Sequence, residues 1–109
     1  MDYRKEYEKW LASPALSEDE RAELRALEGN DKEIKARFYG PLEFGTAGLR
    51  GTMYTGLHNM NRHVIRWATQ GFANVIRAEG EEAMKKGVAI CMDCRNHSME
   101  FARAAACVM

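Results

Sequence analysis

The sequence changes character at Leu42, and that change limits the folds open to the chain. Before it, charged residues alternate with apolar side chains at helical spacing. After it come glycines, β-branched and aromatic residues, with two short apolar runs on either side of one long amphipathic stretch. A helical front end followed by strand, helix, strand and helix predicts an α/β chain.

In the front end, Tyr3, Tyr7, Trp10 and Leu11 fall on one helical face over residues 3–12. Ser13-Pro14 stops that helix. Ser17-Glu18-Asp19-Glu20 is a capping box, and Leu24 and Leu27 continue the apolar stripe as far as Gly29. A third helix fits residues 31–38, with Asn30 or Asp31 as cap and Gly40-Pro41 as terminator. The aromatic residues could serve a partner surface, but core contact is the commoner use of such a stripe.

Beyond Leu42 a strand is expected through Leu49–Tyr54, then a turn over Gly56–Asn59. Asn61 can cap a long helix in which Val64, Ala68, Phe72, Val75 and Ile76 recur at steps of three and four. Gly71 lowers the propensity of that helix, and its missing side chain is expected to permit close packing. Gly80 breaks the pattern, and Glu81–Lys86 is a polar helical turn or loop. Gly87–Met92 is a continuous apolar run of the kind covered on both faces in an α/β sheet. Ser98 then caps a helix with Phe101, Ala105 and Val108 on one face. This βαβα order implies a parallel strand pair with a right-handed crossover. Ligands of such sheets gather at the carboxyl ends of the strands, where Asp93–Ser98 would stand.

Phe44-Gly45-Thr46-Ala47-Gly48-Leu49-Arg50-Gly51 carries the clearest chemistry. Its glycines allow positive φ and close approach of the backbone to a ligand. Arg50 offers a rigid fork of donors suited to phosphate or carboxylate. The spacing is neither that of the phosphate loop nor that of the dinucleotide fingerprint. An anion-facing loop is one reading; a turn capped by Thr46 and a surface ion pair at Arg50 is the other.

Sixteen basic residues balance sixteen acidic ones across 109 residues, so net charge does not argue for a nucleic-acid or membrane surface. No apolar run approaches the roughly 20 residues that cross a bilayer. Met1–Glu6 has no signal-peptide core, so a cytoplasmic address is expected. The three cysteines do not suggest a disulfide framework. Cys91 and Cys94 have redox spacing, and His97 adds one potential ligand, but no second pair completes a zinc site. Cys91 at the end of an apolar run also fits a buried thiol acting as a small hydrophobe. The chain stops within an amphipathic stretch, Ala105–Met109, and two strands make a thin sheet, so a piece of a longer protein is expected.

Taken together, Phe44–Met53, then Asn59-Met60-Asn61-Arg62, Ala68–Ala73 and Asp93–Ser98 with Phe101-Ala102 resemble the start of the phosphohexomutase family. The similarity is to the phosphoglucomutase/phosphomannomutase branch that includes phosphopentomutases. It implies the incomplete first α/β/α domain of such a mutase over residues 42–109, behind a helical N-terminal extension over residues 1–41. The resemblance implies a parent isomerase that moves a phosphoryl group between two hydroxyls of one sugar phosphate through a phosphoserine. Glucose 1-phosphate/glucose 6-phosphate interconversion is the first expectation, and phosphopentomutase or phosphomannomutase specificity the alternative.

By position, Thr46 and Arg50 would edge the phosphate pocket, while Asp93, Arg95 and Ser98 would hold a structural turn. The family's phosphoserine motif, Thr-Ala-Ser-His-Asn-Pro, does not occur, so no catalytic residue and no metal ligand is assigned. The resemblance further implies Mg2+ with ligands outside this chain, a sugar bisphosphate activator, and the remaining domains of the same polypeptide as partners. His58, His63 and Cys94 depart from the usual residues and leave the sugar open. On these grounds the chain alone would be inactive. A non-enzymatic binding module that retains the half-domain is the alternative of another class, and a CxxC redox protein a third.

Overall fold

The computed structural model describes residues 2–45, 48–91 and 97–109. Three helices open the chain: α1 (Tyr3–Ala12), α2 (Glu18–Arg25) and α3 (Asp31–Phe38). Each starts where a polar side chain can take an orphaned first-turn amide. Asp2 accepts from the Arg4 amide, and Asn30 accepts from that of Glu33. Ser17 and Glu20 form the expected reciprocal capping box, at 3.2 and 3.1 Å. The stripe expected to reach Gly29 leaves the helix earlier. After Arg25 the amides of Leu27, Glu28 and Asn30 bond three residues back, tightening the chain into turns.

The three helices bury one core of Tyr7, Leu16, Leu24, Leu27, Ile34, Phe38 and Leu57. Phe38 and Leu24 are fully enclosed. The Phe38 ring meets Tyr7 and Trp10 edge-on, with centroids 5.7 and 5.6 Å apart. The Tyr7 hydroxyl reaches through this core to the carbonyl of Leu24 at 2.7 Å, and burial raises its pKa. The aromatic stripe of α1 is therefore core. At the surface, Tyr3 donates to Asp31 at 2.8 Å and Arg4 pairs with the same carboxylate at 2.9 Å. The Tyr3 hydroxyl, with Arg4 behind it, holds Asp31 below the ordinary carboxylate range.

Leu57 comes from beyond the compositional change at Leu42, yet it completes this core. The chain accordingly divides into two compact units, residues 1–61 and 62–109. In the second, α4 (Arg62–Glu79), α5 (Glu81–Lys86) and α6 (Ser98–Val108) follow one another, with α4 packed against both others. Gly80, at φ 104°, ends α4 where the sequence breaks.

Two expectations about α4 need correction. Val64 is buried, and Ala68 and Ile76 half-buried, but Phe72 and Val75 face solvent together with Trp67, which is 59% exposed. Among the described residues, nothing beyond the helix's own backbone lies within 4 Å of where a Cβ on Gly71 would stand, so no close packing at this glycine is seen there.

The expected βαβα sheet is also corrected. Among the described residues neither Leu49–Tyr54 nor Gly87–Cys91 forms a strand; the one backbone pairing is an isolated antiparallel bridge between Gly45 and Gly48. Strands exist only as ladders, and a single parallel pair is marginal. Here the Thr52 carbonyl is already taken by the amides of Tyr54 and Met60, at 3.0 and 2.9 Å, which folds the first run into a turn. Val88 and Ile90 of the second run remain exposed. The chain as described is thus helical with irregular connections.

Candidate functional site

The glycine-rich loop is pinched at its neck. Gly45 donates to the Gly48 carbonyl at 2.9 Å, and Gly48 donates back at 3.3 Å. Gly48 sits at φ 112°, where a side chain would be strained. Thr46, between them, lies outside the described residues, as do Ala47, Asp93 and Arg95. Past the neck, a Cβ at Gly51 would stand 3.2 Å from both Leu42 methyls and 3.4 Å from the Met60 nitrogen. Glycine there lets the loop's exit close against its entry. Phe44, 71% exposed, and Arg50 project on the surface of this loop. The Arg50 guanidinium has no ion-pair or hydrogen-bond partner among the described residues, so the alternative of a surface ion pair finds no acid there.

Arg37 is its opposite. Its buried guanidinium pairs with Glu33 at 3.0 Å and Glu23 at 3.2 Å, donates to the Thr55 carbonyl at 3.3 Å, and lies over the Tyr54 ring at 4.7 Å. Glu23 returns the link by accepting from the Thr55 amide at 2.8 Å. The Arg37 carbonyl accepts from the His58 amide at 2.8 Å. At the neighbouring turn, His58 stacks on Tyr39 with centroids 4.2 Å apart. The Gly40 carbonyl, 3.0 Å from Nδ1, can only accept, so the neutral ring carries its proton there and Nε2 accepts from the Tyr39 hydroxyl at 2.8 Å. Asn59 and Asn61 brace the turn from within: Asn61 donates to the Tyr54 and Gly56 carbonyls at 3.0 and 2.9 Å, and Asn59 to that of Thr55 at 3.3 Å.

Sequence reasoning missed Glu23, Arg37 and His58 in this network. Only the Glu33–Arg37 step of four was visible in the sequence. Within the Asn59-Met60-Asn61-Arg62 motif, the side-chain amides of Asn59 and Asn61 hold the turn.

Ser98 falls one place inside α6; His97, at φ 66° and ψ 4°, occupies the cap position expected of Ser98, because it is the residue that leaves helical geometry. The His97 ring contacts Glu100 at 3.2 Å through Nδ1. Arg50 belongs to the first compact unit and Ser98 to the second. Cys91, expected to be buried, is exposed; Cys107 is exposed as well, and Cys94 lies outside the described residues. A groove of about 460 Å³ in the second unit runs past Ile76, Met84, Ile90 and Val108, and neither Arg50 nor Ser98 lines it. Among the described residues no three His, Cys, Asp or Glu side chains come together as metal ligands. None of the described helices is long and apolar enough to cross a membrane.

Comparison with known proteins bears on residues 41–109, which match the family model described as phosphoglucomutase/phosphomannomutase, alpha/beta/alpha domain I. The chain is 40% identical over 85 residues to phosphopentomutase of Homo sapiens, covering 72% of this chain and 14% of that one. It is 42% identical over 74 residues to phosphoribomutase of Saccharomyces cerevisiae, covering 68% of this chain and 12% of that protein. Phosphomannomutase of Mycoplasma pneumoniae is 29% identical over 96 residues, 88% of this chain and 17% of that one. No solved structure matches the chain significantly. The chain thus spans well under a fifth of the length of these relatives. With the pinched loop, its exposed arginine and the bracing asparagines all inside the matched stretch, the chain belongs to the phosphoglucomutase/phosphomannomutase domain I family.

Proposed function

We propose that this chain is the N-terminal part of a sugar-phosphate mutase, with a pentose phosphate as substrate. The observation that carries the reading is Arg50, an exposed guanidinium without a partner among the described residues, at the exit of a loop closed by glycine. At the neck of a glycine-rich loop, such a group is a positive charge available to a phosphate. Thr46 is assigned to the same pocket edge, and Asp93, Arg95 and Ser98 to a supporting turn. Residues 42–109 form the family module in this reading, with residues 1–41 as its extension.

The sugar follows the relatives' names: phosphopentomutase and phosphoribomutase stand among the more similar proteins, which favours pentose over the glucose 1-phosphate expected first. The phosphoryl group passes between a serine and the sugar, and Arg50 holds negative charge beside that transfer. The serine motif is not in this sequence. The described residues do not make a site for the Mg2+ that the family implies, and no step is assigned to it or to the sugar bisphosphate.

The test is a substrate panel on the longer protein that carries this segment, comparing ribose, deoxyribose, glucose and mannose 1-phosphates. Pentose phosphates should lead in kcat/KM. A hexose preference would refute the sugar assignment, and absence of mutase activity on the whole panel would leave the binding module as the better reading.

A further inference from the structure

We infer that Glu23 and Arg37, on the helical front end, are positioning residues for Arg50. The inference rests on the anion-facing reading of Arg50 and adds to it the part played by the extension. A continuous line of contacts joins them. Glu23 accepts from the Thr55 amide at 2.8 Å, and Arg37 donates to the Thr55 carbonyl at 3.3 Å, so both polar groups of one peptide residue are held by a half-buried ion pair. Arg37 also fixes the next turn through its own backbone, whose carbonyl takes the His58 amide. Gly56 lies so close that a Cβ there would meet the Arg37 Cβ at 2.9 Å. From this turn the Met60 amide reaches back to the Thr52 carbonyl at 2.9 Å, and Gly51 rests against the Met60 nitrogen. Arg50 is the next residue. The side chain that is to meet an anion is itself unbraced, so its placement depends on the backbone at Gly51 and Thr52, and that backbone is anchored through Met60 and Thr55 to α2 and α3.

A charged hydrogen bond at a half-buried site is worth about a factor of ten or more in an equilibrium. Glu23→Ala removes it while keeping a strong helix former on α2. Glu23→Gln restores an acceptor for the Thr55 amide without the charge.

The experiment uses the full 109-residue chain, isotopically labelled, with inorganic phosphate as the probe. Phosphate affinity is taken from the Arg50 Nε–H signal, and amide exchange is followed at Thr55, Met60 and Leu24. In Glu23→Ala, protection at Thr55 and Met60 should fall about tenfold and the phosphate Kd at Arg50 should rise by a similar factor. Leu24 should keep its protection, and Glu23→Gln should recover most of both losses. Equal phosphate affinity in wild type and Glu23→Ala would overturn the inference alone, as would an equal loss of protection at Leu24, which reports a general loosening of the core. A wild-type chain whose Arg50 ignores phosphate would overturn the anion reading, and this inference with it.

Discussion

The amide of Thr55 donates to Oε2 of Glu23 over 2.8 Å, across 32 positions of sequence, and the Arg37 guanidinium meets the same oxygen at 3.2 Å. One carboxylate thereby serves a helix and a loop that composition alone would divide at Leu42. The glycine-rich segment belongs with the helical front end in packing, and Leu57 carries it into the core.

Phe38 is the residue on which that core depends. It is fully enclosed, with Tyr7 and Trp10 edge-on against it. Phe38→Ala should destabilise the first unit by about 3–5 kcal/mol through lost burial and an unfilled cavity. Urea unfolding followed by tryptophan fluorescence measures this, since Trp10 touches the deleted ring. A loss under about 1 kcal/mol would mean that this core is not formed as described.

Tyr7→Phe isolates one buried hydrogen bond. The Leu24 carbonyl loses its hydroxyl donor, for a cost of about 1 kcal/mol. Burial, with Glu28 nearby, raises the phenol above its ordinary value of 10.0. The neutral form is therefore favoured in the fold, and that stability is complete below pH 10.0 and lost as pH rises through the raised value. Wild type should lose stability in this alkaline window and Tyr7→Phe should lose less. Parallel alkaline melts of the two proteins would show no difference if the hydroxyl were solvated.

Asp31 sets the behaviour in acid. The Tyr3 hydroxyl, then Arg4 and Lys35, hold its carboxyl below 3.8 against an opposing desolvation. A depressed carboxyl contributes stability that is fully present above pH 3.8 and lost as pH falls through the lower folded value. Carbon-detected titration should place Asp31 below 3.8 in wild type and closer to it in Tyr3→Phe. An unmoved titration would remove Tyr3 as the principal cause.

Gly56 and Gly71 should respond to alanine with opposite signs. Gly56 sits at φ 141°, where an added Cβ would stand 2.9 and 3.0 Å from the Arg37 Cβ and carbonyl oxygen, atoms of the last turn of α3 that cannot swing away as the end of a long side chain could. Gly56→Ala should cost about 1–3 kcal/mol. Gly71 lies inside α4 with open space around it, so Gly71→Ala should stabilise by up to about 1 kcal/mol. Thermal melts of the two variants decide the signs.

The features legible in the sequence were local ones. A capping box, a serine-proline stop and a glycine break act within four or five residues, and α1 and α3 span Tyr3–Ala12 and Asp31–Phe38 where the apolar spacing put them. A strand needs a partner that its own residues do not specify, and Leu49–Tyr54 turned its Thr52 carbonyl to Met60 instead. The helical period of α4 located an apolar face, but period alone does not say which neighbour covers it, and Trp67, Phe72 and Val75 are left outside. Within the candidate site, Arg50 stood out because glycines flank it. Glu23 and Arg37 did not, because they meet Thr55 across separations of 32 and 18 positions that follow no repeat.

The most direct test of the central claim is the kinetics of Arg50→Ala in the longer mutase proposed to carry this segment, assayed with ribose 1-phosphate beside wild type. Loss of one preorganised charge at a transferring phosphoryl group should lower kcat by about 10²-fold or more, with the helical circular dichroism signal unchanged. A folded variant with wild-type turnover would contradict the assignment of Arg50 to the phosphate pocket.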